Sequence, residues 1–193
     1  MSGSVSRNNR IGGLLLFLGI GQFLLFLNIA AFVDKGYSIS NNTISHLGID
    51  STAYIFDATI IVLGILEIVS GLFLRGYSLG VTISLILSGI GAAGVGIFDE
   101  HFGFIHLTFA LFAFLFAAIT SFFVLSKKRD LMAIVWAILG AFSLVALILF
   151  TLTIKVSTSY DLGLGVGGIE RLILIPNLIW AMAFGGSLYS NRD

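Results

Sequence analysis

Cysteine is absent from this 193-residue chain, which excludes disulfides, thiolate nucleophiles and thiolate metal sites and leaves no cue to the redox compartment. Proline occurs once, at Pro176. Charge is scarce as well: 10% of residues are Asp, Glu, Lys or Arg, where a soluble domain carries roughly 25%. The ten basic residues balance the ten acidic ones, and no basic block is longer than Lys127-Lys128-Arg129. A nucleic-acid footprint is therefore missing, and nothing marks a strongly anionic partner. What remains for chemistry is histidine, carboxylate and hydroxyl.

What the chain has in quantity is apolar residues, 58% of the total, with a mean hydropathy of +1.07. Several uncharged runs reach the ~20 residues needed to cross a bilayer core. The pattern predicts an all-α, polytopic membrane helix bundle forming a single transmembrane domain over residues 1–193, with six spans near residues 12–33, 53–74, 78–98, 104–125, 131–154 and 172–189. The first run is too long for the apolar core of a cleaved signal peptide and is read as a permanent span. Short turns at Arg75-Gly76-Tyr77 and Lys127 to Asp130 alternate with longer segments at Asp34 to Thr52 and Lys155 to Glu170, as in an up-and-down bundle.

Lysine and arginine in the short loops set the orientation. Arg7, Arg10, Arg75, Lys127, Lys128, Arg129 and Arg192 fall on one side, against Lys35, Lys155 and Arg171 on the other. Both termini are expected in the cytoplasm, with the protein multi-pass in the plasma membrane and the longer loops facing outward. In the third span, Ser88, Gly89, Ala92, Ala93 and Gly96 place small residues four apart, which lets helix backbones approach closely and predicts a central position. Pro176, followed by Asn177, predicts a local interruption of the sixth helix.

All three histidines, His46, His101 and His106, fall on the outward side. Around them lie Ser45, Asp50, Asp57, Asp99, Glu100, Glu170 and Arg171. Acidic groups near the ends of spans usually pair with a base or line a watery cavity, so Asp57 is expected to meet Arg171 or a histidine. Three readings of this rim stay open. In the first, His46, Asp50, Asp57, Asp99, Glu170 and Arg171 bind a lipid headgroup, quinone or small ligand, helped by the Gly163 to Gly168 stretch ahead of a helix start. In the second, His46, His101, His106 and Asp99 hold zinc with an open position for water, as in a metal-dependent membrane hydrolase; His101 and His106 lack the i, i+4 spacing that puts two ligands on one helical face. In the third, the residues cap helices and tie the loops together, and the protein is a structural or interaction module.

Glu67, near the middle of the second span, is a separate signal. An unpaired carboxylate at that depth costs ~3 kcal/mol or more, so it must be protonated or partnered, and a proton- or ion-coupled transporter using Glu67 is a further alternative. The dipeptide Ser45-His46 lacks an identifiable third group for nucleophilic catalysis. Asn41-Asn42-Thr43 matches an N-glycosylation acceptor sequence. The expected partners are membrane lipids, with a membrane-protein partner or a second copy of the chain left open.

Two motifs carry a family resemblance. Gly94-Val-Gly-Ile-Phe-Asp-Glu-His-Phe-Gly-Phe-Ile-His106, followed at once by an apolar span, and Gly168-Ile-Glu-Arg-Leu-Ile-Leu-Ile-Pro-Asn-Leu-Ile-Trp180 resemble the patterns of a prokaryotic six-span family catalogued as domain of unknown function nine-nine-eight. The resemblance implies fold and topology and brings no activity with it. A looser similarity, in serine, aspartate and three histidines, is to the seven-span ceramidase and progestin-receptor-like hydrolases, although histidine spacing and helix number differ.

Overall fold

The computed structural model describes residues 6–49 and 51–190. Six α-helices account for most of them: α1 Arg7–Val33, α2 Ala53–Phe73, α3 Leu79–Ile97, α4 Phe104–Lys128, α5 Leu131–Lys155 and α6 Gly165–Ser190. Single 3-10 turns occur at Ser45–Gly48, Leu74–Gly76, Glu100–Phe102 and Thr158–Asp161, and no strand is present among the described residues. All six helices are long and apolar enough to cross a membrane. The outward faces carry side chains that water would not tolerate in such number, among them Phe32, Phe104 and Leu131, as expected where lipid is the solvent.

Local chemistry sets the boundaries. Ser6 caps α1 by accepting the Asn9 N–H at 3.3 Å, and Asp130 caps α5 by accepting the Ala133 N–H at 2.8 Å. Arg129 takes the left-handed conformation (φ 49°) that ends α4, so α4 and α5 form a tight hairpin. Two helices start earlier than their apolar runs suggest. α1 begins at Arg7 rather than near residue 12, and α6 begins at Gly165 rather than near residue 172. In α6 the glycines that read as loop are helix: a Cβ on Gly167 would lie 2.0 Å from the Asn42 carbonyl oxygen, so glycine there lets the first long loop lie directly on the helix. Glu170 and Arg171 consequently sit inside α6 instead of ahead of it.

The helices close into a ring in chain order, α1 against α2, α2 against α3 and so on to α6 against α1, with α4 also touching α6 across the interior. Close approach is achieved by glycine. The Cβ positions of Gly64 and Gly89 would fall 2.4 and 2.5 Å from each other's carbonyl oxygens, joining α2 to α3, and Gly13 meets the Gly185 backbone between α1 and α6. Other seams use polar side chains on backbone carbonyls. Ser70 donates to Gly12 O at 2.8 Å, Ser88 to Ala113 O at 3.2 Å, Ser143 to Ile173 O at 3.0 Å and Asn177 to Phe114 O at 3.2 Å. α3, with its small residues, is the most deeply buried of the six, although it takes a place in the ring between α2 and α4 and not the central one expected.

Antiparallel succession brings the segments after α1, α3 and α5 to one end of the ring. The basic turns after α2 and α4 gather at the other.

Candidate functional site

The three segments at the loop end are held together by a carboxylate on each of two of them. Glu100, in the turn between α3 and α4, accepts hydrogen bonds from the hydroxyls of Thr43 and Ser45, the latter at 2.7 Å, and faces His46 Nδ1 at 3.3 Å. Burial pushes the Glu100 carboxyl up, but the Thr43, Ser45 and His46 hydrogen bonds and the imidazole outweigh it and leave it below its ordinary value. Glu170, 4% exposed, accepts the Ile44 backbone N–H on Oε2. Its other oxygen has no hydrogen-bond partner among the described residues.

Arg171 acts on the same loop from the neighbouring position. It donates to Ile39 O at 2.9 Å and Gly167 O at 3.0 Å, and to the Tyr37 hydroxyl at 2.7 Å. Burial holds the Tyr37 phenol above its ordinary range in spite of Arg171, so it keeps the proton that it donates to Thr43 O at 3.1 Å. Ser40 completes the attachment by donating to Leu164 O and accepting the Gly167 N–H on its carbonyl. That N–H of the glycine-rich stretch is thus occupied by protein.

These contacts border a half-open chamber of about 220 Å³ with Thr43, Ser45, Glu100, His106 and Glu170 along one side and apolar residues of α4 and α5, which make up most of its surface, opposite. His106 is 4% exposed and its Nδ1 lies 2.7 Å from Phe98 O. A carbonyl only accepts, so Nδ1 carries a proton, and Nε2 is the ring nitrogen left free of the Phe98 contact. Two other spaces adjoin the chamber. A groove of about 400 Å³ runs between α4 and α5 from Phe104 and Lys155 at the loop end inward to Phe114 and Leu147, and shares Leu107, Ala110, Phe114, Phe150 and Ile154 with the chamber wall. An inner cavity of about 60 Å³ shares Ser45, Ala110, Phe114 and Glu170 with it and has Glu67, Ser88 and Asn177 in its lining.

The other rim residues are distributed differently from expectation. Asp57 makes no ion pair with Arg171, whose donors are fixed on loop backbone and Tyr37; Asp57 Oδ1 is buried without a hydrogen-bond partner. Asp99 caps its own turn, accepting His101 N at 2.8 Å and facing His101 Nδ1 at 3.1 Å, and His101 is largely exposed. Asp50 lies outside the described residues. The proposed zinc ligands do not converge: His46 faces Glu100, His101 faces Asp99 and His106 faces Phe98 O, and among the described residues no three His, Asp or Glu side chains are arranged to hold a metal. Glu67 is 6% exposed, and its Oε2 has no hydrogen-bond partner. Thr43 belongs to the site on structural grounds alone, and Glu100, one of a pair of adjacent acids, gave no sign of being the one that turns inward.

A ring of six membrane-length helices, closed at one end by tied loops over a polar chamber, defines a multi-pass membrane protein. Its family is equally definite: the chain belongs to the one described as Protein of unknown function (DUF998), whose model matches residues 17–187. That match spans all six helices and both motifs quoted above. No curated protein and no solved structure matches the chain.

Proposed function

We propose that the protein binds an amphiphile drawn from the membrane, with the polar group of the ligand in the loop-end chamber and its apolar part in the groove between α4 and α5. The observation that carries this reading is the adjacency of the two spaces, which share five wall residues on α4 and α5. A solute from water would need only the chamber, whereas the side opening toward lipid suits a molecule already resident there. On the orientation set by the basic loops, this is the outer leaflet of the plasma membrane. Ala110 borders the chamber, the groove and the inner cavity, so Ala110→Phe fills their junction. Lipid retained by detergent-purified wild type and lost from a folded Ala110→Phe variant supports the reading; equal retention in both removes it.

A second reading rests on Glu67, whose unbonded oxygen lies beside an inner cavity that extends to Glu170. A carboxyl so placed must be neutral or hydrated, and a proton taken up at the loop end has a route to it. Proton flux in liposomes that falls to the protein-free level with Glu67→Gln is the expected result of that reading; flux equal in wild type and variant excludes it.

A further inference from the structure

The chamber is one-sided in its hydrogen bonding. Glu170 leaves one carboxylate oxygen unpartnered although the residue is 4% exposed, and His106 presents a bare Nε2 because Phe98 O holds the other nitrogen as donor. Thr43 and Ser45 give their hydroxyl protons to Glu100 and keep only lone pairs for a ligand. The one strong donor close by in sequence, Arg171, is committed to Ile39 O, Gly167 O and Tyr37. Apart from the apolar side chains of α4 and α5, the polar groups that a guest meets in this space are mostly acceptors. Groups that only accept, such as a quinone carbonyl or a carboxylate, would leave every one of those acceptors unmet.

Lys155 supplies a positive charge farther along the wall. It ends α5 and lines the groove, and it follows Ile154, which lines groove and chamber alike. It forms no ion pair among the described residues. The surface therefore reads, from the interior outward, as hydrogen-bond acceptors around the Glu100 carboxylate, then one cation, with an apolar channel running beside both.

We propose that this site selects an aminophospholipid, its primary ammonium in the chamber among Glu170, His106 and Glu100, its phosphodiester on Lys155, and an acyl chain in the groove between α4 and α5. The inference rests on the amphiphile reading above and adds its chemical class. A primary ammonium brings three donors to an acceptor-lined space. A quaternary choline carries the same charge with no N–H to give, and a glycerol headgroup lacks the charge. The unmet acceptors make the discrimination about tenfold or more, since each such loss is worth on the order of one decade in affinity.

The full chain is reconstituted in vesicles of equal parts phosphatidylethanolamine, phosphatidylcholine and phosphatidylglycerol, extracted in mild detergent, and the retained lipid is read by native mass spectrometry. The expected result is retention of the ethanolamine lipid roughly tenfold over choline, a fall of all three lipids, each a phosphodiester, in Lys155→Ala, and loss of selectivity with lipid still bound in Glu170→Gln. Because Glu170 also holds the Ile44 N–H, the wild-type ratio decides the matter without relying on that variant. Equal retention of the three classes that Ala110→Phe still abolishes overturns the aminophospholipid while leaving amphiphile binding in place. No retained lipid at all overturns both. Displacement of the ethanolamine lipid from wild type by soluble phosphoethanolamine at equal concentration also overturns it, since the ligand would then be a free amine with no use for the groove.

Discussion

Glu100 gathers more of the loop end than any other side chain, since three residues from one loop converge on its two oxygens. Hydrogen bonds to an ionised group are worth about 1.5–3 kcal/mol each in net terms, and this one is about a quarter exposed, so Glu100→Ala is expected to cost roughly 2 kcal/mol. Glu100→Gln should cost less, because the amide oxygen keeps the Thr43 and Ser45 donors while its NH2 meets His46, which can accept by changing tautomer. Thermal unfolding in detergent orders the three proteins. The pH dependence has a fixed sign: the folded carboxyl sits below its ordinary value of 4.5, so its contribution is complete above that value and is lost as pH falls through the lowered one. Wild type should lose stability in that acid window, and Glu100→Gln should not show this component. Sequence located this rim but not its wiring. Asp99 and Glu100 are neighbours of one charge, and only backbone direction sends the first to cap its own turn and the second inward; Arg171 looked like a partner for Asp57 because composition shows charges but not which carbonyls lie nearer.

Among the elements, the run of apolar residues located every helix, and the positions it misjudged are those where glycine serves contact instead of turn. Residues 163–168 look like a flexible link, yet Gly165 and Gly167 lie against Ser40 and the backbone of Ile39 and Asn42, and the helix starts there to receive them. The small-residue spacing in α3 was legible because it repeats every four residues along one face; its partners on α2 are Gly64 and Gly71, a wider spacing that the sequence reading did not pick out. At that crossing a Cβ on Gly64 would sit 2.4 Å from Gly89 O and 2.5 Å from Ala93 N. Backbone cannot rotate away as a side chain can, so Gly64→Ala is expected to destabilise by about 1–3 kcal/mol through forced separation of α2 and α3. Gly186→Ala is the matched control: its Cβ would meet nothing closer than Phe17 at 3.6 Å, and the gain of ~0.5–1 kcal/mol from removing a mid-helix glycine should leave it as stable as wild type or more so. Parallel unfolding curves for the two variants test whether close approach, and not glycine as such, is what this interface needs.

For the molecule as a whole, the ring explains how a chain with so few charges builds a polar chamber: five of the chamber's polar residues come from three separate stretches of sequence that only the alternation of spans brings to one end. That convergence was implied by the span count, while the side opening between α4 and α5 was not, since it depends on how two apolar surfaces fail to fill the space between them. Sidedness is the remaining link between this geometry and the leaflet the ligand comes from. Arg7, Arg10, Arg75, Lys127, Lys128 and Arg129 all lie at the end opposite the chamber, and Lys128 packs over Trp136 at 4.7 Å there, an arrangement suited to a cytoplasmic interface. The lack of cysteine makes single labels unambiguous. Ser45 is a poor position for one because it is buried against Glu100, whereas Ser159 and Ser126 are exposed at opposite ends. In intact cells an impermeant maleimide should modify Ser159→Cys directly and Ser126→Cys only after permeabilisation. The reverse pattern would place the chamber in the inner leaflet, where the same acceptors and the same Lys155 would draw their lipid from the cytoplasmic side.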